Sequence, residues 1–170
     1  MSTVPFVTCD LLDDNPEKDL QVVTPSMDGK FFKSYGARQT FGGQVVTVKC
    51  FEDNSRVKEL LATDGTGKVL VVDGGASMRC ALMGDLIAES AVKNHWNGVI
   101  IYGCVRDVDA IAALDLGVHA LASIPQKSNR KGVGEVDVSL HFGQVTFNSG
   151  DYVYADNNGI IVAKEKLVDL

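Results

Sequence analysis

Hydrophobic positions along this chain switch repeatedly between the two-residue period of a strand and the three-to-four-residue period of a helix. Thr8 ahead of Cys9 to Asp14, followed by Pro16, predicts one or two capped helical turns, and Gln21 to Thr24 a short strand. Lys30 to Thr40 is a turn-rich connector. The β-branched run Gln44 to Phe51 predicts a strand that begins after a Gly42-Gly43 break. Asn54 then N-caps a helix over Ser55 to Ala62, with Val57, Leu60 and Leu61 on one face. Lys68 to Asp73 is apolar without alternation, the pattern of a strand buried on both faces, and Gly74-Gly75 ends it.

Leu82, Leu86, Ile87 and Val92, with Ala88 and Ala91 between them, predict an amphipathic helix over Leu82 to His95, closed by Asn97-Gly98. Val99 to Tyr102 reads as a second buried strand. A strand, helix and strand within about 35 residues form a βαβ unit, whose parallel strands end on the same edge of a sheet. Val108 to Leu114 is a short helix and Gly117 to Ser123 a further strand. After the polar connector Gln126 to Gly134 come strands over Val136 to Phe142, Gln144 to Phe147, Tyr152 to Ala155 and Gly159 to Ala163, with Asn157-Asn158-Gly159 as a turn signal. The expected architecture is a mixed sheet in one α/β domain over residues 1–170.

Charge narrows the function. Sixteen Lys and Arg against twenty-two Asp and Glu give a net charge of −6 and a pI near 5.0, which leaves no basic face for a phosphate backbone. Direct nucleic-acid binding is therefore not expected. Apolar runs such as Val69 to Val72 end far short of a bilayer's thickness, so no membrane span is expected. Met1 to Asp14 has no basic side chain and no apolar h-region, the basis for expecting a cytoplasmic protein. Cys9, Cys50, Cys80 and Cys104 form no C-x-x-C pair, and all four read as structural thiols. His95 is expected as a cation at a helix C-terminus, while His119 and His141 are expected to face solvent or a satisfied pocket.

In open α/β sheets ligands collect beyond the carboxyl ends of the strands. Here that edge carries Asp73-Gly74-Gly75, Gly84-Asp85 and Arg106-Asp107. The amides of Gly84, Asp85, Leu86 and Ile87 open a helix and have no intrahelical acceptors, so they suit a carboxylate. Arg106 adds a planar cationic fork, and Asp85 and Asp107 supply hard oxygen atoms suited to Mg²⁺ or Mn²⁺. Taken singly, Asp85 is a first-turn acid favoured by the helix dipole, and Arg106-Asp107 a solvated pair worth ~0–1 kcal/mol. Their convergence on one edge favours chemistry. Gly132-x-Gly134 lacks the strand-to-helix setting of a phosphate loop. No lysine has a clear Schiff-base role, Lys49 being the main rival because it lies within a strand.

Val71-Val-Asp-Gly-Gly-Ala-Ser-Met-Arg79, Met83-Gly-Asp-Leu-Ile-Ala88, Tyr102-Gly-Cys-Val-Arg-Asp-Val108, Asp115 to Ser123 and Tyr154-Ala-Asp-Asn-Asn-Gly-Ile160 resemble the RraA-like family. That family contains regulators of ribonuclease E and divalent-metal aldolases acting on 4-hydroxy-4-methyl-2-oxoglutarate. The resemblance implies a swivelling β/β/α fold and a homotrimer, or a hexamer of two trimers, with sites between subunits. It makes Asp107 the metal ligand and Arg106 the substrate anchor. Asp85 orients a water on the ion, and the amides of Gly84, Asp85, Leu86 and Ile87 hold a pyruvyl carboxylate. The longer aldolases add an acidic residue from a neighbour's C-terminal extension, for which no counterpart aligns here. The implied activity is a class II pyruvate aldolase with oxaloacetate decarboxylase activity on small 2-oxo acids. The alternative is a protein that binds and inhibits ribonuclease E.

Overall fold

The computed structural model describes residues 6–25 and 31–170. In chain order the elements are α1 (Thr8–Asp13), β1 (Gln21–Val22), β2 (Lys33–Ser34), β3 (Phe41–Lys49), α2 (Ser55–Leu61), β4 (Lys68–Asp73), β5 (Ala81–Met83) and α3 (Asp85–Lys93). There follow β6 (Gly98–Val105), α4 (Val108–Ile111), β7 (Gly117–Ser123), β8 (Glu135–Val136), β9 (Leu140–Phe142), β10 (Val145–Phe147), β11 (Tyr152–Asp156) and β12 (Gly159–Ala163). The main sheet runs β1-β12-β11-β3-β4-β6-β7-β2, with β5 paired to β6 and β8 to β3. Its centre, β3, β4, β6 and β7, is parallel, and antiparallel strands flank it on both sides.

Three layers follow from the period of the central strands. In β4 the side chains of Leu70 and Val72 join a core with Val57 and Leu61 of α2 and Ile87, Ala88 and Ala91 of α3. Their neighbours Val69 and Val71 point to the other face, against Leu140, Phe142, Val145 and Phe147 of the β9–β10 hairpin. A strand covered on both faces has no reason to alternate, hence the unbroken apolar run. The β/β/α layering expected from the family resemblance is the one observed.

Several boundaries move, each for a tertiary reason. Ala81-Leu-Met83 is strand instead of helix because it pairs in parallel with the end of β6, at Cys104 and Val105. The helix therefore starts at Asp85, with Gly84 as its N-cap. Gly42 and Gly43 do not break β3. They lie within it, opposite Tyr154 and Val153, where a Cβ on Gly42 would stand 2.6 Å from the Val153 carbonyl oxygen. The segment expected as one strand over Val136 to Phe142 splits into β8, on the main sheet, and β9, in the hairpin. Asn54 takes the N-cap place of α2 without a side-chain cap bond, and Asp53 does that work by accepting the Ser55 N–H at 2.9 Å, while its other oxygen accepts the Lys131 N–H of the distant connector at 2.7 Å.

Of the cysteines, Cys50, Cys80 and Cys104 are buried and Cys9 is exposed, so only three fit the structural reading. Burial, helped by Asp53, pushes the Cys50 thiol up to about 12, which leaves it inert at neutral pH. His95 lies beyond the end of α3 with φ 68°, exposed, and the Nδ1 of exposed His141 is 3.0 Å from Thr146 Oγ1. His119 corrects its expectation. It is buried on β7, edge-on to Phe41, and neither ring nitrogen has a hydrogen-bond partner among the described residues.

Phe41 depends on two absent side chains. Gly98 and Gly117 are register partners on β6 and β7, and a Cβ on either would lie 2.2 or 2.1 Å from the Phe41 ring. Gly117→Ala should cost about 1–3 kcal/mol by overpacking, read as a lower denaturant midpoint, and a second change, Phe41→Leu, should recover part of it. His119 also sets a pH dependence. Burial outweighs the attraction of Asp156 and holds its pKa down at about 4, against the ordinary 6.5. Between those values the unfolded chain binds the proton that the folded chain refuses, so stability rises with pH across that window by up to about 3 kcal/mol. In His119→Leu, chemical denaturation from pH 4 to 7 should give a correspondingly flatter profile.

Candidate active site

The site is made by one backbone bond. At the end of β6 the Arg106 N–H donates to the Met83 carbonyl oxygen at 3.0 Å, which places Arg106 and Asp107 beside the start of α3. Asp107 then turns into the left-handed region, φ 54° and ψ 42°, as the N-cap of α4. That conformation costs an L-residue about 1–2 kcal/mol, and aspartate is among the side chains that tolerate it best. The turn points the carboxylate back across Gly84. Asp107 Oδ2 accepts the Asp85 N–H at 3.1 Å. A Cβ on Gly84 would lie 2.6 Å from that oxygen and 3.3 Å from Arg106 Nε, so only glycine leaves the carboxylate in place.

The Arg106 guanidinium stands loosely over this turn, its Nε 3.9 Å from Asp107 Oδ2 and its Nη1 donating to the Pro125 carbonyl oxygen at 3.4 Å. Asp85 Oδ1 accepts the Leu86 N–H at 2.8 Å. Two of the amides expected to hold an anion are thus already turned to one, in each case a side-chain carboxylate drawn to the positive end of α3. All six residues singled out from the sequence, Gly84, Asp85, Leu86, Ile87, Arg106 and Asp107, line one small cavity of about 40 Å³.

A family model described as RraA-like, Aldolase/RraA, matches residues 8–162. The chain belongs to the RraA-like family. A protein of Acinetobacter baylyi provisionally named 4-hydroxy-4-methyl-2-oxoglutarate aldolase is 80% identical, covering 99% of each chain. A Pseudomonas aeruginosa protein of the same provisional name is 57% identical over 95% of this chain and 96% of its own. Among solved structures, the RNA-processing inhibitor RraA of Thermus thermophilus has a TM-score of 0.85 at 40% identity, covering 94% of this chain and 93% of that one. A Geobacillus kaustophilus protein titled as an S-adenosylmethionine:2-dimethylmenaquinone methyltransferase has a TM-score of 0.89 at 44% identity, covering 95% and 97%.

In this RraA-like chain four further polar residues line the cavity beside Ala81, none of them among the six expected: Asn54, Lys127, Ser128 and Arg130. Asn54 is buried, donates to the Leu82 carbonyl oxygen at 3.2 Å and accepts from Arg130 Nε at 3.3 Å. The connector carrying the other three is pinned across the sheet edge by bridges from Ala81 to Lys127 and from Asp53 to Asn129. Its sequence signal was the cluster of basic residues Lys127, Arg130 and Lys131 directly after a parallel strand. Asp73 lies off the cavity, its carboxylate accepting the Gly75 N–H at 2.9 Å within its own turn. Lys49 does not line it either.

The cavity therefore gathers three cationic side chains and two carboxylates, a balance suited to an anionic substrate together with a divalent cation. Among the described residues no group of three or more His, Cys, Asp or Glu could cage an ion. Two hard carboxylates, half-exposed in the case of Asp107, fit a hydrated Mg²⁺ or Mn²⁺ that takes its other ligands from water and substrate. Gly84→Ala should displace the Asp107 carboxylate and weaken Mn²⁺ binding by about tenfold or more, measured by calorimetry, with secondary structure by circular dichroism unchanged.

Proposed function

We propose that this protein is a divalent-metal-dependent pyruvate aldolase, cleaving 4-hydroxy-4-methyl-2-oxoglutarate to two pyruvates, and that it decarboxylates oxaloacetate through the same enolate. The observation that carries this reading is the convergence of Asp107, Arg106 and the first-turn amides of α3 on one cavity kept open by Gly84. The provisional names of the relatives point to the same substrate.

Asp107 would hold the ion with Asp85 beside it, and the ion when bound supplies Lewis-acid stabilisation to an enolate. The amides of Gly84 to Ile87 bind the substrate's C1 carboxylate. Arg106 orients the 2-oxo group and stabilises the negative charge that grows on its oxygen. Asp85, through a water it holds, takes the proton of the C4 hydroxyl, and the C3–C4 bond breaks with its electron pair passing into the enolate. Protonation at C3 then gives one pyruvate, and the former C4 carbonyl belongs to the other. Lys127 and Arg130, which line the same cavity, supply a counter-charge to the second carboxylate.

The same reading carries a homotrimer, or a hexamer of two, with the site completed at a subunit boundary. Leu86, at the mouth of the cavity, is 75% exposed, an apolar side chain with room for a neighbour to cover it. A second reading, inhibition of ribonuclease E by protein binding, is favoured by the likeness to the Thermus thermophilus inhibitor.

Pyruvate release from 4-hydroxy-4-methyl-2-oxoglutarate and from oxaloacetate should require Mg²⁺ or Mn²⁺ and stop with EDTA. Asp107→Asn should lower turnover by about 10²–10³ and lose metal, whereas Asp85→Asn should lower kcat by about 10²–10⁴ with metal affinity little changed. Arg106→Lys should raise KM and lower kcat together. Full activity after exhaustive chelation would overturn the reading. Inhibition of ribonuclease E that persists in Asp107→Asn, with no pyruvate release by the wild type, would favour the regulator instead.

A further inference from the structure

Lys127 and Arg130 reach the Asp107 cavity from the exposed connector between β7 and β8, and neither is in an ion pair among the described residues. Keeping two long cationic side chains at one cavity needs a fixed backbone beneath them. The connector is held from two sides. Towards β5 and β6, the Gln126 carbonyl oxygen accepts the Ala81 N–H at 2.7 Å and the Pro125 carbonyl oxygen accepts Arg106 Nη1 at 3.4 Å. On the other side the turn between β3 and α2 does the holding. The Glu52 carbonyl oxygen accepts the Asn129 N–H at 2.9 Å, the Asn129 carbonyl oxygen accepts the Asn54 N–H at 3.1 Å, and Ser55 Oγ accepts the Gly132 N–H at 2.9 Å. Within this turn Asp53, 3% exposed, divides its two oxygens between the segments: Oδ1 accepts the Ser55 N–H and Oδ2 the Lys131 N–H.

Capping α2 uses only the first of these oxygens. The second reaches a residue seventy-eight positions away, and its partner directly follows Arg130. Arg130 is tied to the same turn again, because its Nε donates at 3.3 Å to Oδ1 of Asn54, the neighbour of Asp53. Two links in succession therefore fix Arg130 against the β3–α2 turn. Glu52, just before Asp53, sits in the left-handed region at φ 56°, a conformation that persists where the surroundings enforce it. Asp53 does not line the cavity, so its own charge is not offered to a ligand. Burial raises its pKa, but hydrogen bonds from Ser55, Lys131 and Val133 outweigh that and hold the carboxyl below its usual range. An ionised carboxylate only accepts, which matches two N–H donors; an amide in its place turns its own NH₂ towards one of them and loses that bond.

We propose that Asp53 is a positioning residue for this site: through the Lys131 amide it holds Arg130 ready for the carboxylate at the far end of a 2-oxo dicarboxylic acid. The identity of that acid rests on the aldolase reading, but its binding is measurable without turnover. The full chain with Mg²⁺ is titrated calorimetrically with 2-oxoglutarate and with 2-oxopentanoate, which share one carbon skeleton and differ in the second carboxylate. Neither has a C4 hydroxyl or a carboxylate on C3, so neither is cleaved or decarboxylated by the proposed chemistry. The wild type should bind 2-oxoglutarate at least about tenfold tighter. In Asp53→Asn that preference should fall to about threefold or less, with the affinities for 2-oxopentanoate and Mn²⁺ unchanged. Arg130→Ala should lose the preference alike, and adding Asp53→Asn to it should change nothing further. With oxaloacetate as substrate, Asp53→Asn should raise KM by the same factor and leave kcat within about twofold. No pyruvate release by the wild type would overturn the aldolase reading alone. No dicarboxylate preference in the wild type, a preference kept in Asp53→Asn, or equal weakening of both acids there would overturn the role of Asp53. If Asp53→Asn fails to fold, Ser55→Ala, which removes the acceptor of the Gly132 N–H, should lower the preference by about threefold, and a preference kept there would overturn it.

Discussion

The bond from the Asp85 amide to the Asp107 carboxylate, made across the bare Cα of Gly84, joins two turns that are twenty-two residues apart in sequence. Everything proposed for the site depends on it. It sets the start of α3, directs the Asp107 side chain, and keeps Arg106 within 3.9 Å of the same oxygen. The bond is available only because β5 and the end of β6 run parallel and finish together, so that a helix N-terminus and a left-handed aspartate meet at one edge. The positive end of the helix holds that negative charge in place.

Rigidity for this edge comes from the layers behind it. The central strands are covered by α2 and α3 on one face and by the β9–β10 hairpin on the other, and Val69, Leu70, Val71 and Val72 are fully buried. Phe41 seated over Gly98 and Gly117 brings β3 and its antiparallel neighbours onto the parallel centre without a gap. A site whose parts tolerate displacements of tenths of an ångström needs such a frame, because loops alone would not hold a carboxylate within hydrogen-bond distance of a single amide.

Two environments in this molecule divide its polar chemistry in a physically consistent way. At the sheet edge, charged groups of both signs stay partly exposed around a small cavity, where keeping a charge costs little desolvation. Between β2 and β7, by contrast, burial keeps a histidine neutral, edge-on to Phe41. Charge suits the first environment and is rejected by the second.

How much of this was legible in the sequence depends on the range of the interaction involved. The central strands, α2, the body of α3 and the closing hairpins follow from local period and turn residues, and the six residues of the small cavity follow from their place at strand ends. Membership of the RraA-like family was equally legible, because its motifs lie in those turns. What the sequence could not decide was set by partners distant along the chain. Ala81 to Met83 became a strand through pairing with β6, and Gly42-Gly43 stayed inside β3 because β11 and the Gly67 turn approach too closely for side chains. Asn54, Lys127, Ser128 and Arg130 reached the site through bridges between connectors, which leave no periodic trace. His119 and Ser34 became an unsatisfied pair only when β2 and β7 took their register. Local free energies of turns and amphipathic faces are written in adjacent residues, whereas register, desolvation and the direction of a side chain across a cavity exist only once the chain has closed on itself.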